Sequence, residues 1–395
     1  MTNHIRFKYI ARNIVEKSDG TPAAYIGLEH VAPSTGHLTA EPEEKAATDS
    51  LLAQPGDILF GKLRPYLAKS LRVDQKLTCT GEFLVLRPNP GFHAPFIEYF
   101  TRSQPWLDWA SASSYGSKMP RTSWDFLGGI EAYVPSMAIQ RNIANFLDRE
   151  TAKIDALIDK QKQLIATLRE EADALWSAEV GRITESSPTM PLRRVIDSIV
   201  DGPFGSSLTS AHYSSEGARV IRLGNIGIDE FKDVDHAFIP LEYAHTLFAH
   251  EALKGDVVVA GLGDEKMPLG RAALVPDIGP AIVKADCYRI RPRCEQMRPD
   301  FLAWILSAPP TRKQIALLAR GSTRARLNTT LIKEVEIPVP SLPIQELVVS
   351  RSRKHRSRIN NLVSRAELLS DTLREYRSAL ITDAVTGKID VREAV

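Results

Sequence analysis

From Gln140 to Val180 the chain contains neither proline nor glycine. Apolar residues recur there at spacings of four and three: Ile143, Leu147, Ile154, Leu157, Leu164, Leu168 and Leu175, with Glu150, Gln161 and Glu171 in the polar slots of the same register. A second stretch repeats the pattern through Val348, Ile359, Leu362, Leu369, Leu373 and Leu380, with Ser352, His355, Ala366 and Tyr376 between them. Such spacing predicts two long helices, each with a heptad seam. At 1.5 Å per residue, ~40 residues make a rod of about 60 Å. Gly181 and Gly387 stand where helix stops are expected. A rod of that length cannot bury its stripe alone. The nearest partner is the other helix of the same chain, folded back as an antiparallel coiled coil that holds one globular head at each end. The alternative is two surface helices, each packed on its own domain. Polar seam positions fit either the water-lapped ends of a coil or a place where a further helix packs.

The rest of the chain alternates on a shorter period. Apolar runs at Leu51–Leu67, Leu77–Gly91 and Val257–Gly279 are punctuated by Gly and Pro. Helical patches follow at Pro95–Trp109 and Pro299–Leu318, and the strands Ile130–Pro135 and Val335–Pro340 close each region. This predicts α+β domains.

The chain also repeats itself. Val134-Pro135-Ser136, with Ile139-Gln140, matches Val339-Pro340-Ser341, with Ile344-Gln345, at an offset of 205 residues. The same offset pairs Phe96 with Phe301, Gly116-Ser117 with Gly321-Ser322, Arg121 with Arg326, and Thr167-Leu168-Arg169-Glu170 with Thr372-Leu373-Arg374-Glu375, so that about eighty residues align without a gap. With small shifts, Gly56-Asp57 matches Gly255-Asp256, and Leu86-Arg87-Pro88 matches Ile290-Arg291-Pro292. A period this long means a duplicated domain rather than a solenoid. The expected organisation is a first globular domain at 1–136, a central helix at 137–182, a second globular domain at 183–341 and a C-terminal helix at 342–388. The fold class is α+β: two pseudo-twofold-related mixed domains separated by two long helices forming an antiparallel coiled coil.

Composition narrows the function. The 395 residues carry 50 Lys+Arg against 48 Asp+Glu, a net charge of +2, so a nucleic-acid footprint has to be local. No apolar stretch reaches the ~18 residues that span a bilayer, and the N-terminus lacks a secretory h-region, so a cytoplasmic protein without membrane contact is expected. Cys79, Cys287 and Cys294 form neither a CxxC pair nor a disulfide framework. The sequence has no Gly-x4-Gly-Lys-Ser/Thr phosphate loop, no Gly-x-Gly-x-x-Gly, no His-Glu-x-x-His, no Cys/His zinc spacing and no Asn-Pro-Pro-aromatic tetrapeptide. Pro276-Asp277 before Val283-Lys284 resembles a nuclease pattern only faintly, because Ile282 stands where a carboxylate is needed. Catalysis by this chain alone is not expected.

Basic, Gly-rich loops are the candidates instead. Lys62, Arg64 and Lys69 follow one strand; Lys118 and Arg121 occupy the place that Arg320, Ser322, Arg324 and Arg326 occupy in the second copy. Ser206 lies in a Gly-Pro-Phe-Gly turn followed by Arg222, and Lys266 and Arg271 flank a further turn. Such cations suit phosphates or the O6/N7 edge of guanine. Each could equally be a solvated surface charge. The run Arg351–Arg358 is either a solvated helix face or a surface for a duplex or a partner.

Tandem units that each end in Val-Pro-Ser-x-x-Ile-Gln before a long helix resemble the specificity subunits of type I restriction-modification systems. The matching residues include Gly56–Phe60, Lys62–Pro65, Val134–Gln140 with Ile143 and Leu147, Asp201–Ser206, and Leu380–Asp390. The resemblance implies a non-catalytic DNA reader. Each globular domain would be a target recognition domain for one half of a bipartite site, and the helices would space the domains and dock two methyltransferase subunits. Restriction (translocase/nuclease) subunits would complete the complex. S-adenosylmethionine, ATP and Mg would bind those partner chains, leaving no cofactor and no metal here. The pseudo-twofold repeat matches two half-sites. Because the copies differ most in their globular parts, the half-sites should differ too. Two alternatives stand beside this reading: a coiled-coil adaptor that reads no DNA sequence, and a standalone nuclease or methylase.

Overall fold

The computed structural model describes residues 4–46, 49–116, 118–264, 266–319 and 326–391. Two helices dominate: a central one, Met137–Ser186, of 50 residues, and a C-terminal one, Leu342–Val385, of 44. The chain divides into two compact units. The first runs to Gln163 and resumes at Arg365; the second is Leu164–Ser364. Each unit therefore holds one head and a stretch of both long helices.

In the first unit, Ala11–Ile14, Phe83–Pro88, Ile58–Gly61 and Ser70–Arg72 form an antiparallel sheet in that order. A second sheet places Glu43–Lys45, Ala23–Ile26, Leu77–Cys79 and Leu51–Ala53 side by side, with a parallel pairing of Tyr25 and Ile26 to Thr78 and Cys79. His4–Arg6 pairs antiparallel with Glu131–Tyr133. The second unit repeats this plan: Ile196–Val200, Cys287–Pro292, Val257–Ala260 and Ala272–Leu274 form the antiparallel sheet. Phe238–Ile239, Ala218–Ile221 and Ala281–Val283 form the other, again with one parallel pairing. Thr189–Pro191 closes on Glu336–Pro338.

Each core takes in the ends of both long helices. Phe7, Phe60, Phe100 and Trp106 pack with Ile143, Leu147, Ile381 and Val385 in the first unit, and the Phe7 and Trp106 ring centroids lie 4.5 Å apart. Phe301, Trp304, Ile290 and Val257 pack with Trp176, Val180, Ile183, Val348 and Val349 in the second. In both, the beginning of one helix meets the end of the other, so the pairing is antiparallel. Asp155 meets Arg377 at 3.0 Å in the first unit. Leu168 packs with Ile359 and Val363 in the second.

The duplicated motifs now have physical reasons. Gln140 is buried at the head–helix junction; its Oε1 accepts from His93 N at 2.8 Å and its Nε2 donates to Pro135 O at 2.9 Å. Gln345 does the same with Arg298 N and Pro340 O, both at 2.8 Å. Each glutamine satisfies backbone groups that the proline-interrupted turn leaves unpaired. Arg87 makes two 2.7 Å bonds to the buried carboxylate of Asp57, and Arg291 makes two at 2.8 Å to Asp256. Gly56 and Gly255, at φ of 90° and 93°, supply the left-handed turn before each aspartate.

The buried helix stripe departs from the predicted one at five leucines. Ile143, Leu147, Ile154, Leu168, Val348 and Ile359 are buried, and Leu373 and Leu380 half-buried. Leu157, Leu164, Leu175, Leu362 and Leu369 are instead 42–48% exposed. Their places inside are taken by the next residue along: Ile158, Ile165 and Trp176 on the central helix, and Val363 and Ser370 on the C-terminal one. Adjacent apolar pairs such as Leu157-Ile158 and Leu362-Val363 let a 3.5-residue repeat be drawn along either row, and packing chose the second. The central helix also passes through Gly181, the expected stop, and ends at Ser186. The docking of Val180 and Ile183 into the second core holds that last stretch helical. Gly387, at φ 74°, lies just beyond the C-terminal helix. Ser352, a polar seam position, accepts from Trp304 Nε1 at 2.7 Å.

Candidate nucleic-acid interface

The fold brings the basic loops of each head together. In the first head the loop after the Ile58–Gly61 strand lies against residues 120–122. Leu63 bridges Arg121, Arg64 N donates to Pro120 O at 2.7 Å, and Thr122 N donates to Lys62 O at 3.1 Å. In the second head Leu262 bridges Arg326, and Leu327 N donates to Gly261 O at 3.0 Å.

Many of the candidate cations are engaged within the protein. Arg121 donates to both oxygens of Glu82 at 2.7 Å. Its counterpart Arg326 donates to Asp286 at 2.8 Å and lies 5.5 Å over the Phe204 ring. In both heads this arginine ties the second loop to a carboxylate just before the strand that starts at Phe83 or Cys287. Each keeps an exposed edge, with side chains 42% and 50% accessible. Lys62 sits beside Glu82 and Arg121, and burial pushes its ammonium pKa down. Lys69 Nζ donates to Leu28 O at 2.6 Å. Arg222 pairs with Asp235 and with its carbonyl.

Arg271 cannot reach a ligand. It is buried and donates to five backbone carbonyls: Ile226, Leu223, Leu262, Met267 and Pro268. Its guanidinium stitches two loops together, and burial lowers its pKa. A residue expected at the surface is thus a structural centre, because a guanidinium's five donors are satisfied wherever enough carbonyls converge.

The outward-facing candidates are Arg64, Lys118 and Lys266, all exposed and without an ion-pair partner among the described residues, and Ser206 on the turn Gly205–Leu208. Arg64 stands at φ 50°, a strained conformation for a side-chain-bearing residue. Arg320, Ser322 and Arg324 lie outside the described residues. Large apolar side chains also stand at the loop surface: Tyr66, Tyr115, Met119 and Phe204 are 51–64% exposed. Sequence reasoning misses Tyr115 and Met119; the available signal is a bulky apolar residue inside a Gly/Pro-punctuated loop. Among the described residues no group of three His, Cys, Asp or Glu converges to hold a metal, and no helix is long and apolar enough to cross a membrane.

Residues 251–365 match the family model of the type I restriction modification DNA specificity domain. That stretch covers much of the second head and the first half of its helix, which leaves the adaptor alternative without support. The MjaVIII type I specificity subunit of Methanocaldococcus jannaschii is 20% identical over 353 residues, which is 85% of this chain and 77% of that protein. The StySPI specificity subunit of Salmonella potsdam is 21% identical over 209 residues, 53% of this chain and 44% of that protein. In fold, the chain is similar to one from a structural study of type I R-M complex assembly and conformational transition: TM-score 0.72, 18% identity, 98% of each chain covered. It is also similar to the HsdS subunit of Thermoanaerobacter tengcongensis: TM-score 0.54, 18% identity, 98% of this chain and 97% of that one.

Proposed function

We propose that the chain is a type I restriction-modification specificity subunit, a non-catalytic component of its complex, and that each head reads one half of an asymmetric bipartite DNA site. One observation carries this reading. The framework of the two heads is duplicated down to single ion pairs (Asp57–Arg87 with Asp256–Arg291, Arg121–Glu82 with Arg326–Asp286), whereas the loops that frame supports differ in sequence. A shared frame with different loops is what two different DNA words require.

Arg64 and Lys118 in the first head, and Lys266, Ser206 and the exposed edge of Arg326 in the second, supply phosphate or base contacts, and Arg320, Ser322 and Arg324, just before Arg326 in the sequence, are further candidates. Cations position the protein on the backbone, and base-edge bonds specify the sequence. The long helices set the distance between the words. Their exposed leucines (Leu157 and Leu164 on one helix, Leu362 and Leu369 on the other) recur at the same offset of 205 residues and offer two equivalent docking stripes for two methyltransferase subunits. Restriction subunits then complete the complex. S-adenosylmethionine, ATP and Mg belong to those partner chains, and the assembly works on DNA in the cytoplasm.

The test exchanges residues 183–341 for the equivalent segment of a relative and maps methylated sites after co-expression with the methyltransferase subunit. One half of the recognised sequence should change while the other half and the intervening gap persist. An unchanged site, or a palindromic one in the unaltered protein, overturns the reading.

A further inference from the structure

Head and helix are locked together in the second unit by a contact that none of the duplicated motifs contains. Asp229 stands at φ 52° at the tip of a tight loop closed by the Ile226–Phe231 bridge. Its backbone N is held by Ser307 Oγ and Ala272 O, both at 2.9 Å. Its side chain is fully buried and points at the C-terminal helix, where Arg353 reaches it at 3.1 Å and Arg356 at 2.5 Å. The Arg356 guanidinium also lies 4.8 Å over the ring of Trp176 on the central helix. Trp176 stacks obliquely on Trp304 of the head at 5.8 Å, and Trp304 returns to the C-terminal helix through Ser352. One carboxylate thus gathers a head loop and both long helices.

The first unit solves the same problem with different chemistry. Ser34, at φ 61°, lies at the tip of the corresponding loop, closed by the Val31–Leu38 bridge. There Arg377 donates to the carbonyls of Ser34 and Thr35 at 2.8 and 3.1 Å and pairs with Asp155 on the central helix. Backbone carbonyls are held at that position, not a side-chain carboxylate.

A buried carboxylate between two guanidiniums is strongly directional, because removing one partner strands the others in a dry environment. The loop it holds is part of the head, and the arginines are part of the rod that sets spacing. We infer that Asp229, Arg353 and Arg356, backed by Trp176, are positioning residues that fix the angle of the second head on its helices, and so determine how strictly the complex discriminates the gap between its two DNA words. The inference rests on the bipartite-reader function proposed above.

The experiment measures methylation by the full complex with its methyltransferase subunits, on DNA carrying both words with the native gap or with one base pair more or fewer. Asp229→Asn should leave both words unchanged and lower the preference for the native gap roughly tenfold. Arg353→Gln, on a partly exposed helix position that leaves Asp229 its bond to Arg356, should act in the same direction more weakly. Asp371→Asn, in an exposed pair with Arg374, should leave the gap preference as it is. If Asp229→Asn and Arg353→Gln keep the unaltered gap preference, even at a lower overall rate, the three residues only stabilise the fold and the inference falls. If the unaltered complex methylates no bipartite site at all, the function itself is wrong and the latch has no gap to govern.

Discussion

Asp57 and Asp256 are each almost wholly buried, yet each remains paired with an arginine that reaches solvent. Such a pair is costly to break, because the remaining guanidinium keeps its desolvation without its partner. Asp57→Asn should therefore lower the stability of the first unit by about 1.5–3 kcal/mol, the range for a hydrogen bond to a charged group. Asp371→Asn, in an exposed pair, should cost less than about 1 kcal/mol. Thermal unfolding of the two variants compares them directly, and equal losses would show that Asp57 is not a framework residue. The sequence displayed Gly56-Asp57 and Arg87 as separate repeated words. That they are one ion pair was not legible, because 30 residues separate them and nothing in the chain marks them as partners. Arg271 shows the same limit in the other direction. It stands in a Gly-rich loop like the other candidate cations, but it bonds the carbonyls of Leu223 and Ile226 in a different loop, 48 and 45 residues away.

At the scale of elements, the helices were the most legible part of the molecule, because a heptad pattern is a local property of the chain. Even there, only part of the seam followed from the pattern: Leu147, Ile154 and Leu168 are buried, but Leu157 and Leu164 are not. Two neighbouring apolar residues satisfy the same periodicity, and only the shape of the facing helix chooses between them. The two glycines that read as helix stops also separate here. Gly181 lies inside the central helix, and a Cβ built there meets no atom within 4 Å. Gly181→Ala should stabilise the protein by about 0.5–1 kcal/mol through helix propensity and reduced unfolded-state entropy. Gly387→Ala should destabilise it, since φ is +74° and the new Cβ would stand 2.7 Å from the Tyr133 ring. A Gly181→Ala protein that melts earlier would mean the central helix does not continue through that point.

At the scale of the whole molecule, charge is nearly balanced, at +2 over 395 residues. A reader with so little excess charge should bind DNA weakly when alone, and its affinity should fall steeply with salt. Removing the outward cations together, as Arg64→Ala with Lys118→Ala, should reduce the log–log salt slope by roughly 0.9 for each phosphate that is no longer neutralised. Fluorescence anisotropy across a salt series measures it, and an unchanged slope would place those side chains away from the backbone. Duplication, the α+β character of the heads and the existence of two long helices could all be read along the chain, because repeats, hydrophobic period and turn residues are written in consecutive positions. Which arginines are free to meet DNA could not. A guanidinium is spent or available according to the carboxylates and carbonyls that folding brings to it: Glu82 to Arg121, Asp286 to Arg326, Asp229 to Arg353 and Arg356. Those partners lie 39 to 127 residues away, and electrostatic pairing depends on distance in space rather than on distance along the chain.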